Sequence, residues 1–409
     1  MKKMLLPSST LVAIDIGTTK VCALVAQKIT DSQFDVIGIG RAPSRGLAQG
    51  TVVDIAPAVQ AIKAAVQEAE MMAGCTIESA YIGISGSHIG AHTSTGMVPI
   101  KNGTIRESDV TRVIAASQAI PLPEDEQILH VVAQAFTIDG KHAVRDPMSM
   151  HGVRLDAKVN IITGNTMLVK NLIQCCESAS IKVRDVILEP IASAEAVLSP
   201  DERELGVALL DIGGGTSDFV IYHRDTIQHT KIVPIAGALF TNDIALCLRM
   251  TRDEAERIKK QYATLTTSYA SEQQTIRSID NENMRTIMLD DVTRILQART
   301  EELFTIIKEE IAAHNLAPFM PAGIVLTGGG ALLNGIAQQA EKILGVPARI
   351  GRPKMMTSFK EELQNPIYAT AYGLILYAIR QEQKNQRASH GNGAGKIFWQ
   401  VKDWIAEFF

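Results

Sequence analysis

The feature that most constrains the fold is an Asp-Gly turn between two apolar segments, which occurs twice in the chain. Asp15-Ile-Gly-Thr-Thr-Lys20 and Asp211-Ile-Gly-Gly-Gly-Thr-Ser-Asp218 each follow one strand-like segment and precede another. Glycine permits positive φ and close backbone approach, so that amide N–H groups can surround an anion. The Asp beside each turn is placed to hold a hydrated divalent cation. The two turns predict two related domains that hold one polyphosphate from opposite sides.

A third glycine-rich segment, Ile324-Val-Leu-Thr-Gly-Gly-Gly-Ala331, is predicted to be a buried strand and a turn, with a helix starting near Leu333. The bare backbone of Gly328, Gly329 and Gly330 lets a flat ligand such as a nucleoside approach closely. A single glycine run is equally typical of a hairpin turn or a helix cap. The order hairpin, hairpin, strand-turn-helix is what favours a nucleotide site.

Composition places the chain among ordinary globular proteins. Its 409 residues predict two or more domains, and 46% hydrophobic with 21% charged residues predicts a large core. A net charge of −4 gives no reason to expect nucleic-acid binding. The five cysteines lack metal-binding spacing, which favours reduced thiols. We find no run of about 18 apolar residues that predicts a transmembrane helix.

The three segments together resemble the actin, Hsp70 and sugar-kinase ATPase superfamily, in which they are two phosphate loops and an adenosine loop. The resemblance implies an α/β, actin-like (ribonuclease-H-like) two-domain fold that binds ATP and Mg²⁺. It extends to residues 187–195 and 365–373, which resemble the two connecting helices of that fold. Small residues in the second of these segments let two helices cross closely.

Each candidate residue has an expected role at the nucleotide. Asp15 and Asp211 are expected to hold the waters of Mg²⁺, and Lys20 to contact the β- or γ-phosphate. The resemblance places Glu189 where the superfamily has its water-orienting residue. The other cofactor-binding candidates are Gly17, Thr18, Thr19, Gly213, Gly214, Gly215, Thr216, Gly237, Glu256, Lys259, Gly328, Gly329 and Gly330. Glu256 and Lys259 resemble residues that flank the adenosine, but their spacing also fits an i,i+3 surface salt bridge.

Residues 85–165 are predicted to form a small α+β insertion. Strand-like stretches at 96–100, 130–138 and 153–162 surround a helix at 107–119, which a capping-box-like Thr104-Ile-Arg-Glu107 opens. An extra subdomain at this position, with segments such as Pro43-Ser-Arg-Gly46, Gly96-Met-Val-Pro99 and 201–207, resembles the FtsA family of actin-like bacterial cell-division proteins. The resemblance covers about residues 10–380.

The resemblance divides the chain into six parts. They are the first ATPase subdomain 1A (1–84 and 354–385), the inserted α+β subdomain 1C (85–165), the second ATPase subdomain 2A (166–241 and 312–353), its inserted subdomain 2B (242–311), a flexible linker (386–395) and a C-terminal amphipathic helix (396–409).

The last fourteen residues can be interpreted without the family. Apolar side chains recur there at helical spacing, and polar ones collect on the other side; the membrane-contact candidates are Ile397, Phe398, Trp399, Val401, Trp404, Ile405 and Phe408. Aromatic-rich amphipathic helices of this kind lie in the membrane interface. The alternative is a helix docked on the protein body, against which the glycine-rich linker argues. Lys396 and Lys402 are offset by acidic groups, so the aromatic residues must supply most of the affinity.

The family resemblance implies a protein that forms filaments on the cytoplasmic face of the cell membrane at the division septum. There it would tether the FtsZ ring and recruit later division proteins, and ATP would set the polymerisation state. Catalysis by positioning and electrostatics is easily weakened, so we expect at most a weak ATPase.

The C-terminal tail of FtsZ would dock on subdomain 2B, where Arg299 and Arg285 are candidates to bind an acidic or carboxylate-ended peptide. The alternative is that both are solvated surface arginines. Two other functions stay open: an actin-like pilus-assembly ATPase, which usually lacks the C-terminal helix, and a small-molecule kinase, for which we find no sugar-binding signature.

Overall fold

The computed structural model describes residues 4–5, 10–30, 34–266, 274–280, 283–354 and 359–390. The strands are β1 (Met4–Leu5), β2 (Thr10–Ile16), β3 (Lys20–Lys28), β4 (Phe34–Pro43), β5 (Leu47–Ala48), β6 (Thr51–Val52), β7 (Cys75–Thr76), β8 (Ser79–Ile84), β9 (Gly90–Pro99), β10 (Glu126–Ile138), β11 (His142–Val144), β12 (Arg154–Asn165), β13 (Lys182–Leu188), β14 (Val207–Ile212), β15 (Ser217–His223), β16 (Thr226–Val233), β17 (Thr275–Asp280), β18 (Asn283–Met288), β19 (Ile324–Thr327) and β20 (Ala348–Ile350).

The α-helices are α1 (Ile55–Ala73), α2 (Glu107–Ser117), α3 (Thr166–Ser178), α4 (Glu189–Val197), α5 (Pro200–Leu205), α6 (Gly237–Leu248), α7 (Arg252–Tyr262), α8 (Leu289–Ala313), α9 (Ile336–Leu344), α10 (Lys360–Leu363) and α11 (Ala369–His390). Short 3₁₀ helices lie at Ala317–Phe319, Gly329–Leu332 and Pro366–Tyr368. In the described part of the chain, no helix combines the length and apolar character that crossing a bilayer requires.

Two five-stranded sheets of the same topology form the centre of the molecule. The strand order is β13-β8-β2-β3-β4 in the first and β20-β19-β14-β15-β16 in the second. In each sheet an antiparallel meander of three strands pairs, through its first strand, with a parallel strand, β8 or β19. The predicted α/β fold with two related domains is confirmed.

Both sheets are covered on both faces. Leu11 and Ala13 of β2 pack toward α4 and α11, whereas Val12 and Ile14 pack toward α1 and α3. In the second sheet, β14 divides its side chains in the same way between α4 and the layer of α6, α8 and α9. Burial on both faces explains why these strands are continuous apolar runs instead of alternating ones.

Helices α4 and α11 lie between the two sheets and contact each other closely. A Cβ atom at Gly373 of α11 would overlap the backbone carbonyl of Ala192 of α4, so glycine is needed at this crossing. The predicted close crossing of the two connecting helices is confirmed. Helix α11 continues to His390, so the prediction of a flexible linker is wrong for 386–390. Gly391 is the first helix-breaking residue after Gly373.

The inserted subdomain is an antiparallel sheet of order β11-β10-β12-β9 with α2 on one face. Its strands are longer than the predicted stretches, and α2 ends two residues early. The predicted cap at Thr104 is wrong, because Thr104 forms a β-bridge with His151. The helix instead follows Arg106, whose N–H donates to Asp109 Oδ2 at 2.9 Å.

Subdomain 2B contains α7, the β17–β18 hairpin and most of α8. Its expected limits at residues 242 and 311 fall inside α6 and α8. Each of these helices runs without interruption from the second domain into the insertion, because its hydrogen-bonded ladder continues across the limit. The two parts therefore share helices instead of being joined by loops.

Candidate nucleotide site

The two Asp-Gly turns are closed by the same backbone hydrogen bond. The N–H of Gly17 donates to the carbonyl of Lys20 at 3.0 Å, and the N–H of Gly213 donates to that of Thr216 at 2.9 Å. Each turn joins the first two strands of its meander, β2 to β3 and β14 to β15. The local resemblance between the two sequence motifs is thus a resemblance in structure.

The amides that remain for a ligand are at the tips of the turns. Among the hydrogen bonds of the described residues, none has the N–H of Thr18, Thr19, Gly214 or Gly215 as its donor. Gly17 was expected to offer its amide to a phosphate, as was Gly213, but these two amides are used to close the turns. Gly17 and Gly213 therefore shape the turns instead of offering their amides to a ligand.

The tips of the two turns contact each other. A Cβ atom at Gly214 would lie 2.5 Å from both Cγ2 and Oγ1 of Thr19, and a Cβ atom at Gly215 would overlap Oγ1 of Thr18. Since no larger side chain fits at either glycine, the two domains are in van der Waals contact here. The four amides without a partner among the described residues therefore lie on turn tips that touch each other.

Asp211 is held by hydroxyl groups from both connecting helices. Ser193 of α4 donates to its Oδ2, and Thr370 of α11 donates to the same oxygen at 3.1 Å. The carboxyl group is buried, with the residue 5% exposed. Burial raises the pKa of Asp211, while the hydrogen bond from Ser193 opposes this rise. The two hydroxyls fix the orientation of the carboxylate.

Acidic groups outnumber basic ones at the turns. Asp15 forms an ion pair with Lys20, with Oδ2 and Nζ separated by 3.1 Å. Burial lowers the pKa of Lys20, but the charge and hydrogen bond of Asp15, together with other nearby acidic groups, more than offset this, so the pKa lies above its ordinary value. Burial and the nearby Asp211 raise the pKa of Asp218. An excess of buried carboxyl groups is the donor set that a hydrated Mg²⁺ requires.

Glu189 is the first residue of α4 and lies beside Gly83 of β8. A Cβ atom at Gly83 would be 3.0 Å from Cγ of Glu189 and 3.3 Å from its Oε1. Burial raises the pKa of Glu189 well above its ordinary value, and the charges of Asp15 and Asp218 add to the effect. In the absence of a cation the surroundings thus favour the protonated acid.

Sequence reasoning missed three hydroxyl residues of this site. Ser85 follows β8, and its Oγ donates to Asp218 Oδ1 at 2.7 Å and lies 3.2 Å from Thr216 Oγ1. It thus links the first domain to the second turn. Ser193 and Thr370, described above, were inside segments identified as connecting helices, but nothing local indicates that they contact Asp211. The one indirect signal for Ser85 was Asp218 at the end of the second motif, because its carboxylate accepts the hydrogen bond of this hydroxyl.

The third glycine segment packs against the second turn. Gly328 has φ of 81°, and a Cβ atom there would overlap Oδ1 of Asp211. The predicted helix start near Leu333 is wrong, since a 3₁₀ helix covers Gly329–Leu332 and α9 begins at Ile336. The start is delayed because Gly335, the residue before α9, has φ of 86°, a left-handed conformation that the helix cannot include; the carbonyl of Asn334 accepts the N–H of Leu265 at 2.7 Å.

Glu256 and Lys259 form the i,i+3 salt bridge that their spacing predicts, with Nζ and Oε2 separated by 2.7 Å. Nζ of Lys259 also donates to the carbonyl of Gly237 at 2.8 Å, and the N–H of Gly237 donates to the carbonyl of Gly213 at 3.0 Å. Burial raises the pKa of Glu256, but Lys259, Thr241 and Lys260 together outweigh this and lower the pKa below its ordinary value. These contacts connect the residues predicted to flank the adenosine with the second turn.

Arg299 of α8 is not a solvated surface arginine. Its guanidinium binds Asp243 of α6 in a bidentate pair of 2.6 and 3.0 Å and also contacts Glu302. The side chain is 25% exposed. Arg285 lies in β18, but its side chain is outside what the structure describes. The predicted membrane helix, residues 396–409, is also outside the described residues.

Two family models match the chain. The model of cell division protein FtsA matches residues 208–373, and that of the SHS2 domain inserted in FtsA matches residues 86–163. The second match coincides with the antiparallel sheet and helix of the inserted subdomain.

Individual proteins give the same result. Cell division protein FtsA of Pseudomonas aeruginosa is 41% identical over 381 residues, which cover 93% of this chain and 91% of the relative. A PilM-PilN type IV pilus biogenesis complex superposes with a TM-score of 0.67 at 17% identity, covering 90% of this chain and 98% of the other. MreB 5 of Spiroplasma citri bound to AMPPNP gives a TM-score of 0.58 at 15% identity, with coverages of 93% and 100%. These two structural likenesses show the actin-like fold alone. The sequence identity shows more: the chain belongs to the FtsA family of cell division proteins.

Proposed function

We propose that this division protein binds ATP with Mg²⁺ at the two Asp-Gly turns and uses the nucleotide mainly to set its state of polymerisation. The observation that carries the proposal is the contact between the turns. Their tips join four free amides, at Thr18, Thr19, Gly214 and Gly215, to a buried group of carboxyl side chains. Free amides suit phosphate oxygens, and the carboxyl groups suit the waters of a divalent cation.

The chain's own residues divide the work at this site. Asp15 and Asp211 would hold Mg²⁺ through its waters, and the cation would offset the charge between phosphate and carboxylates. Lys20, now 3.1 Å from Asp15, is the ammonium available to a phosphate oxygen. Ser193 and Thr370 keep Asp211 oriented, and Glu189 is the residue we assign to water positioning.

Magnesium-dependent nucleotide binding is the direct test. Titration of a fluorescent ATP analogue with and without Mg²⁺ should show tight binding that requires the cation. Asp211→Asn should weaken this binding at least tenfold, about 1.4 kcal/mol. The matched control Asp201→Asn changes an exposed carboxylate of α5 and should bind as the parent does. Binding that does not need Mg²⁺, or an Asp211→Asn variant as tight as the parent, would contradict the proposal.

The second part of the proposal concerns the membrane. The amphipathic pattern of 396–409 supports a helix in the lipid interface on the cytoplasmic face of the cell membrane, at the septum. One such helix binds reversibly, and many carried by one filament bind firmly. Co-sedimentation with liposomes in the presence of ATP compares the full chain with one truncated after Gly395. A truncated chain that still sediments with lipid would overturn the membrane assignment.

The third part concerns partners. We infer that the chain tethers FtsZ by binding its C-terminal tail on subdomain 2B, and that later division proteins are recruited to the resulting filaments. Arg299 supports the first inference, because it offers a guanidinium between α6 and α8. A tail carboxylate would have to compete with Asp243 for it. The alternative, a pilus-assembly ATPase, is supported only by a likeness of fold at 17% identity. We therefore do not adopt it.

A further inference from the structure

Two histidines and a glutamate form a cluster in the second domain, outside the nucleotide site. His229 lies on β16, the edge strand of the second sheet. Glu310 and His314 lie one turn apart near the end of α8. One ligand atom from each of the three side chains lies within 4.8 Å of the other two. The strand and the helix therefore present imidazole and carboxylate groups to the same point.

The distances suit a small divalent ion. Nε2 of His229 is 2.8 Å from Oε1 of Glu310, and Nδ1 of His314 is 3.4 Å from the same oxygen. Nitrogen and oxygen ligands lie about 2.1 Å from Zn²⁺, so tetrahedral neighbours are about 3.4 Å apart. Of the three pairs of ligand atoms, His314–Glu310 already has this separation and His229–Glu310 needs to open by about 0.6 Å. The two imidazole nitrogens are at most 4.8 Å apart and close toward the same separation. His314 is 51% exposed and can rotate; His229 and Glu310 are 17% and 14% exposed, and they adjust by small shifts beside the cavity that they line.

The surroundings of the cluster also suit a metal. Lys231 Nζ lies 3.7 Å from Oε2 of Glu310, so the second carboxylate oxygen has a partner while Oε1 faces the histidines. Ligating carboxylates commonly have such a supporting contact. The three side chains line a cavity of about 300 Å³ whose opposite wall includes Gly90 and Ala91 of the inserted subdomain. The cavity gives room for water as a further ligand and a path of entry.

We propose that His229, Glu310 and His314 bind one divalent transition-metal ion of the Zn²⁺ class, with water from the cavity completing the coordination. Two imidazoles and one carboxylate favour such ions over Mg²⁺ and Ca²⁺, which prefer oxygen ligands. The site is therefore chemically distinct from the one at the Asp-Gly turns. A metal here would fasten the edge strand to α8 beside the inserted subdomain, where Gln134 already donates to the carbonyls of Ile227 and Gln228.

Cobalt and zinc titrations of the full chain test the proposal. The protein is treated with chelator, kept free of nucleotide, and titrated with CoCl₂ while visible absorption is recorded, and with ZnCl₂ in a calorimeter. We expect one equivalent to bind with the d–d bands of four-coordinate Co²⁺, and saturating Zn²⁺ to raise the Tm by a few degrees. Neither effect follows from a histidine–glutamate hydrogen bond alone.

His314→Gln is the variant of choice, because this side chain is 51% exposed and its loss should leave the metal-free Tm unchanged. It should weaken Co²⁺ and Zn²⁺ binding at least tenfold and remove the Zn²⁺-dependent rise in Tm. His151→Gln, a change at an exposed histidine of the inserted subdomain, is the control and should bind as the parent does. Glu310→Gln removes the carboxylate ligand of the same site and should also weaken Co²⁺ and Zn²⁺ binding. Equal metal affinity in the parent and His314→Gln, or no saturable binding by the parent, would overturn the proposal.

Discussion

Gly214→Ala is the sharpest test of the contact between the two turns. The new Cβ atom would lie 2.5 Å from Cγ2 and Oγ1 of Thr19, whereas ordinary van der Waals contact begins at 3.4 Å. The turns must therefore separate by about 0.9 Å, because the short, branched Thr19 side chain cannot move far. Gly214 is not among the glycines with positive φ, so the backbone itself accepts alanine. The substitution isolates the effect of separation.

Separation by this amount should disrupt phosphate binding. A hydrogen bond of about 2.9 Å stretched by about 0.9 Å passes the limit of useful geometry. If Gly214 and Gly215 share one phosphate group with Thr18 and Thr19, at least one charge-assisted hydrogen bond is lost, at about 1.5–3 kcal/mol. MgATP affinity should then fall about ten- to hundredfold. Overpacking should also lower the free energy of unfolding by about 1–3 kcal/mol.

Thr19→Ala provides a compensating change. It removes both atoms at 2.5 Å and leaves the Thr19 Cβ position at 3.0 Å from the new Cβ. Calorimetric MgATP binding by Gly214→Ala, Thr19→Ala and the double variant forms a double-mutant cycle. The double variant should bind more tightly than the sum of the two single losses predicts. Gly345→Ala, which meets nothing within 4 Å but has φ of 73°, should cost stability through its backbone and spare nucleotide binding. Parental affinity in Gly214→Ala, or strictly additive losses in the cycle, would refute the reasoning.

Three further predictions concern charged groups. Burial and Asp211 raise the pKa of Asp218 to about 8, above its unfolded value of about 3.9. Its ionisation thus opposes folding: without metal, the free energy of unfolding should fall as pH rises from about 4 to about 8 and then level off. Asp218→Asn, which keeps an acceptor for the serine hydroxyl, should flatten this slope in urea unfolding; an unchanged slope would exclude Asp218 as its source. Asp243→Asn should free Arg299 and raise the affinity for an FtsZ tail peptide, whereas Arg299→Gln should lower this affinity. Fluorescence anisotropy measures the affinity of both variants. If neither variant changes it, Arg299 is not part of the tail site. Glu189→Gln resembles the protonated acid, so it should leave MgATP affinity within about twofold while lowering phosphate release; an unchanged rate would remove Glu189 from water positioning.

The fold could be predicted from sequence where the determinants are local. The apolar run before Asp15 or Asp211 and the glycines after it specify a strand and a tight turn within a few residues. Gly373 could be predicted for a similar reason, because a helix with several small residues is suited to a close crossing. Repetition of the turn then indicated two related domains, and the matching strand orders of the two sheets agree.

The errors arose where a distant contact decides the outcome. Thr104 has the side chain of an N-cap, but its pairing with His151 moves the cap to Arg106. The helix after the third glycine segment starts late because Gly335 is left-handed, in a stretch where Asn334 pairs with Leu265, almost seventy residues earlier. The hydroxyl partners of the site acids were missed for the same reason. No spacing rule connects residues on different strands and helices that meet in space.

The charges around Glu189 bear on whether the site cleaves ATP or holds it. A water-orienting carboxylate must be ionised to accept a proton from water, yet burial together with Asp15 and Asp218 favours its protonated form. Lys20 opposes this weakly, because its ammonium is already paired with Asp15. MgATP still carries net negative charge, so its arrival does not reverse the field at Glu189. The turn amides and the cation site are unaffected by this difficulty, since they bind phosphate without transferring a proton. The proposed site is therefore better suited to holding MgATP than to hydrolysing it, which is the combination that our proposal of a nucleotide acting as a signal for polymerisation requires.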